Sequence, residues 1–135
     1  MQDTSPNQNR LVLFGALLMM AMFTGCDNRA FDANEEVAAL DTYYADIVLP
    51  REWEVKSIEE YGRGDLVVEV EIGAAKHARF IKSKSRMAQF RIAKLACPTH
   101  VPNLRDAFRK GTRVWVRLVA DREELATSIC PLTYA

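Results

Sequence analysis

Histidine and cysteine are scarce in this chain, with two and three copies in 135 residues, and the short motifs of most enzyme chemistry are missing. There is no G-x-S-x-G, H-E-x-x-H, C-x-x-C or C-x-x-C-H, and no glycine-rich loop for phosphates or dinucleotides. These absences remove the serine-hydrolase, zincin, thiol-redox, haem and nucleotide classes that such spacings mark. His77 and His100 stand in basic surroundings with no nearby carboxylate in sequence to orient a general base, so both read as surface histidines. Glu59-Glu60 and Glu123-Glu124 do not make a paired-carboxylate site, because neighbours on a strand point to opposite faces. No cofactor, no metal and no catalytic residue is expected.

Acid is missing too, but only from part of the chain. The formal net charge is zero, yet Asp27 to Glu71 holds 13 acidic and 4 basic residues, a net of −9, and Ile72 to Arg117 holds 12 basic and 1 acidic, a net of +11. Seven cations from Lys76 to Lys94 (Lys76, Arg79, Lys82, Lys84, Arg86, Arg91, Lys94) have no acid among them. Such a separation speaks of partners or of internal pairing rather than of fold.

Charge is absent altogether from Leu11 to Phe23, an apolar run of 13 residues behind a polar segment whose one basic residue is Arg10. As a helix it would span about 20 Å, short of the roughly 30 Å hydrocarbon core of a bilayer. It reads as the apolar core of an export signal. The run closes on Phe23-Thr24-Gly25-Cys26, which resembles the lipobox of bacterial lipoprotein precursors. That resemblance covers about the first 27 residues and implies removal of residues 1–25, with Cys26 lipidated and N-terminal. Asp27 follows at the position that, in enteric bacteria, retains lipoproteins at the inner membrane. The expected location is therefore the periplasmic side of that membrane, with the outer membrane as the other destination.

With Cys26 lipidated, the odd cysteine count resolves, and Cys97 and Cys130 are expected to form one disulfide in an oxidising compartment. Residues 26–34 read as the lipidated cysteine and its tether, and 35–135 as a single domain, a common size for one core.

Along that domain, Asn34 is an N-cap candidate, with Glu35 and Glu36 in the first turn and Val37, Leu40, Tyr44 and Ile47 at helical spacing, predicting a helix over 35–47. Glu52 to Glu60 alternates on two phases, Trp53 and Val55 then Ile58, which calls for a bulge. A glycine turn at 61–65 leads into Leu66 to Ile72, with Leu66, Val68, Val70 and Ile72 inward. Ala74 to Ala96 reads as one long helix whose apolar arc holds Phe80, Ile81, Met87, Ala88, Ile92 and Leu95, with Phe90 pointing elsewhere. Lys84 and Arg91 fall inside that arc, so either their stems lie across apolar surface or part of it is unburied. A short helix is expected over 102–111, ending at Gly111, and then two strands, Thr112 to Val119 and Leu125 to Cys130. Two hairpins under one long helix predict a two-layer α+β domain with a four-stranded antiparallel sheet.

The expected function is a non-catalytic binding or assembly module anchored by lipid at the envelope. Its contact surface would be the basic helix (Lys76, Arg79, Lys82, Arg86, Phe90, Lys94) joined by the strand face of Arg113, Trp115 and Arg117. The partners expected are the bacterial membrane through the anchor and an envelope protein or anionic lipid; export argues against nucleic acid. Three alternatives stay open. The cations could face the acidic first half of the same chain. A small envelope enzyme or zinc site could be built on Cys97, His100 and Cys130. An exclusion-type lipoprotein of a mobile element would look the same by its residues.

Overall fold

The computed structural model describes residues 33–62, 64–98, 108 and 111–132, all within one compact unit, Phe31–Ala135. The elements run α1 (Asn34–Asp46), β1 (Trp53–Tyr61), β2 (Asp65–Ile72), α2 (Ala75–Lys82), α3 (Arg86–Ala93), a 3₁₀ turn (Lys94–Ala96), β3 (Arg113–Ala120) and β4 (Glu123–Cys130). The fold is α+β: a four-stranded sheet in the order β1-β2-β3-β4 with the helices packed on one face.

Both hairpins form. β1 meets β2 antiparallel with the expected bulge between Val55 and Ser57, and Gly62 and Gly64 take φ of 67° and 97° in the turn. β3 meets β4 antiparallel through a two-residue turn, Asp121-Arg122, both at positive φ as a tight hairpin of this twist requires. The middle of the sheet differs from the expected pattern, because β2 and β3 are parallel, in register from Asp65↔Arg113 to Glu71↔Val119. The physical reason is the connection. The chain between Ile72 and Arg113 carries α2 and α3 across the sheet and brings β3 in at the end where β2 begins, the one arrangement a helical crossover readily makes.

Strand alternation builds the core. Leu66, Val68, Val70 and Ile72 of β2 and Val114, Val116, Leu118 and Ala120 of β3 are buried on the helix side, together with Leu40 and Tyr44 of α1. Helix α1 begins one residue earlier than its spacing predicts. Ala33 occupies the N-cap position with no side-chain cap, so Asn34 is already helical. Glu36 does not face water beside the helix dipole; it is buried and accepts a hydrogen bond from Thr112 Oγ1 at 3.1 Å, tying α1 to the start of β3. At the other end, Tyr44 Oη donates to the Ala96 carbonyl at 2.6 Å, and Cys97 and Cys130 are joined by a disulfide with their Cα atoms 5.3 Å apart.

The long helix is not continuous. It breaks at Ser83-Lys84-Ser85, where Ser83 Oγ bonds back to the Phe80 carbonyl and Ser85, extended at ψ 156°, caps α3 by accepting from the Ala88 amide. Each serine offers the backbone a bond that the helix would otherwise have to make, so two short helices replace one. The break resets the helical phase. Ile81, Ala93 and Ala96 are buried, while Phe80, Met87 and Leu95, expected in the buried arc, are 54%, 65% and 66% exposed. Lys84 and Arg91 are exposed as well, which settles the two openings for those residues in favour of an unburied face. Ser85→Ala is expected to lower stability by about 1 kcal/mol in urea unfolding, the ordinary worth of an N-cap. The short helix expected over 102–111 falls largely outside the described residues; Phe108 is buried and Gly111 has φ 98°.

Candidate functional site

The surface expected as one is two. Alternation sends Asp65, Val67, Glu69 and Glu71 of β2, and Arg113, Trp115 and Arg117 of β3, to the sheet face away from the helices. Arg113, Trp115 and Arg117 thus face away from the helix layer, while Arg86 of α3 borders Glu124 and Thr127, which also line the hollow beside Trp115.

On the open sheet face the cations are already matched. Arg113 clamps Asp65 with both nitrogens, Nε to Oδ1 at 2.9 Å and Nη2 to Oδ2 at 2.7 Å, and Trp115 Nε1 donates to the same carboxylate at 3.2 Å. The Arg113 hydrogen bond holds the Asp65 carboxyl below the usual carboxylate range, against a smaller upward push from burial. Arg117 lies between Glu69 and Glu124, with Nη1 3.9 Å from Glu69 and Nε 3.3 Å from Glu124. The second approach is off the hydrogen-bonding angle, which leaves Nε buried without a true acceptor among the described residues. Lys56 pairs with both Glu54 and Glu71. Asp65, Arg113, Arg117 and Glu124, with Tyr61, Val67 and Thr127, line a shallow hollow of about 350 Å³ around Trp115. Pairing of cations with the acidic first half is thus real for the strands, and it comes from cross-strand register: Asp65 opposite Arg113 and Glu69 opposite Arg117.

The helices are different. Lys82 reaches across to Glu123 at 2.6 Å, but among the described residues no carboxylate pairs with Lys76, Arg79, Arg86, Arg91 or Lys94. Between those cations stand the exposed rings and chains of Phe80, Met87 and Leu95. Lys84 Nζ lies 4.2 Å over the Phe80 ring, and Lys94 Nζ lies 5.2 Å over Phe90, so two aromatic faces are topped by ammonium groups. Along α3 and the 3₁₀ turn after it, Met87, Arg91 and Leu95 are exposed in one row and Arg86 and Lys94 in the next, with Phe90 half-buried between them. The result is an outward face that is basic and apolar together.

Asp65 is the residue that pattern reading missed, since it looked like a turn acid and is in fact the acceptor that orders Arg113 and Trp115. Its signal existed only as register, which the parallel pairing of β2 and β3 sets. No group of three or more histidine, cysteine or acidic residues that could hold a metal occurs among the described residues. Joined to each other, Cys97 and Cys130 offer no thiolates, and His100, the third member of the zinc alternative, lies outside the described residues, as do Cys26 and residues 27–32 of the expected tether; its last two residues, Ala33 and Asn34, instead begin α1. No helix of the described residues is long and apolar enough to cross a membrane. No family model, curated protein or solved structure matches this chain.

Proposed function

We propose that this chain is a lipid-anchored, non-catalytic envelope module that lays the α2–α3 face on the anionic surface of the membrane carrying it. One observation carries the proposal: Phe80, Met87 and Leu95 are exposed among cations that no described acid neutralises. Basic residues with apolar ones between them are the chemistry of an interfacial helix, drawn by anionic headgroups and held by apolar side chains at the acyl boundary. The lipobox-like Phe23-Thr24-Gly25-Cys26 supplies the anchor, and Asp27 favours the periplasmic side of the inner membrane. The eight residues from Cys26 to Ala33, seven steps of chain, reach at most about 25 Å when extended, so a lipid on Cys26 would keep the domain within reach of the headgroups.

The lipobox resemblance implies more than one acyl chain on Cys26, enough to anchor firmly, so the basic face would orient the domain on the surface and not supply the attachment. Each cation near an anionic surface adds about 1 kcal/mol, so Arg79→Ala with Arg91→Ala is expected to weaken binding of residues 27–135 to phosphatidylglycerol vesicles about 30-fold. Sedimentation with vesicles at low salt measures it, and added salt should erase the difference. Equal binding to neutral phosphatidylcholine vesicles, or no effect of the two substitutions, would overturn the proposal.

A further inference from the structure

The sheet has two edges. Each edge strand carries a bulge, at Val55/Ser57 in β1 and at Leu125 in β4, and each has a helix against it, α1 on β1 and α3 on β4; β1 differs in its exposed charges at Glu54, Lys56, Glu59 and Glu60. β4 pairs with β3 on one side alone, and from Leu125 to Cys130 it carries no charge and no proline. Alternate backbone N–H and C=O groups along its outer side have no strand partner among the described residues. Beside this edge runs α3, and between them lies a groove of about 620 Å³ lined by Arg86, Met87, Gln89 and Phe90 from the helix and by Glu124 to Thr127 from the strand.

We infer that this groove takes an extended segment of a partner polypeptide, added to the sheet as a fifth strand on β4. A row of alternating donors and acceptors at strand spacing matches another extended backbone, the chemistry of strand addition. The helix wall fixes the side chains. Met87 is exposed and Phe90 half-buried, so an apolar side chain fits against them, and Arg86, with no described acid in contact, matches a carboxylate. Glu124 adds little free negative charge, because Thr127 and Arg117 already hold it. Side chains two apart share a face of a strand, so the partner segment carries an apolar residue and an acidic residue at i and i+2. The groove shares Arg86, Met87 and Phe90 with the face proposed to meet the membrane, so a bound peptide and anionic vesicles should compete, whereas Arg79 and Arg91 belong to the membrane proposal alone.

The test is selection of displayed random peptides, about twelve residues long, on residues 27–135, followed by hydrogen exchange of the protein with a selected peptide bound. The expected peptides show the apolar-x-acidic spacing, and binding slows exchange of alternate amides between Leu125 and Ile129 by on the order of tenfold. Met87→Glu abolishes binding, Arg86→Glu shifts the selection from acidic to basic at the same position, and the Arg79→Ala, Arg91→Ala pair leaves binding unchanged. Peptides without that spacing, or bound peptides that leave the β4 amides unaltered, overturn the inference. So does slow exchange of every β4 amide before peptide is added, since the chain's own segments would then cover the edge.

Discussion

Replacing Cys97 and Cys130 together by alanine is expected to lower the unfolding free energy by about 3 to 4 kcal/mol. The bridge spans a sequence separation of 33 residues, and closing a loop of that length restricts the unfolded chain by about that much on the chain-entropy account. In the folded state it pins the end of the α3 segment to the last residue of β4, beside the parallel crossover that the sheet depends on. Urea unfolding of the oxidised protein and the double variant measures the difference. The hydrogen bond from Tyr44 to Ala96 holds the same turn, so removing both ties should cost less than the two separate losses added. A loss below about 1 kcal/mol would mean that the disulfide only decorates a turn already fixed by its neighbours.

The second large effect is alkaline. Burial raises the Tyr44 hydroxyl well above its ordinary value of 10.0, and the neighbouring Tyr43 adds to the shift. The unfolded chain loses this proton near pH 10 while the folded chain keeps it, so above pH 10 the folded state binds more protons and stability falls as pH rises. The slope attributable to this group approaches about 1.4 kcal/mol per pH unit, or nearly 3 kcal/mol by two units above that point. Tyr44→Phe should lose about 1 kcal/mol at neutral pH from the missing hydrogen bond and should also lose that slope. Lysines and the other tyrosines titrate in both proteins, so the difference between the two profiles is the quantity to read. Parallel profiles from pH 9 to 12 would mean that Tyr44 ionises freely in the folded state.

Much of the architecture was legible because strand and helix periods are local. Alternation in Leu66 to Ile72 and Val114 to Leu118 gave the buried face of β2 and β3 correctly, and the phase slip between Val55 and Ile58 gave the bulge. The Cys97–Cys130 bond followed from the cysteine count once an export signal was read. The helix break was less legible. Ser83 and Ser85 are tolerated inside helices, and only the geometry of the Phe80 carbonyl and the Ala88 amide shows that both serines end one helix and cap the next. That local event changed which apolar residues are buried, and hence which surface is free.

The contact surface shows the same division. Each of its members was visible as a cation or an aromatic in a run poor in acid, but their grouping was not. Arg113, Trp115 and Arg117 looked continuous with Lys76 to Lys94 along the chain, while in space they belong to the other side of the sheet and to Asp65, Glu69 and Glu124. What the residues alone determined about this protein is its alternation, its helical stretches, its charge segregation and the pairing of two cysteines, since each depends on neighbours in sequence. What the tertiary structure decided is which charges meet, which edge is open and which apolar side chains stay in water. Those depend on the parallel register of β2 with β3 and on the rotation introduced at Ser83-Lys84-Ser85, neither of which any single stretch of chain encodes.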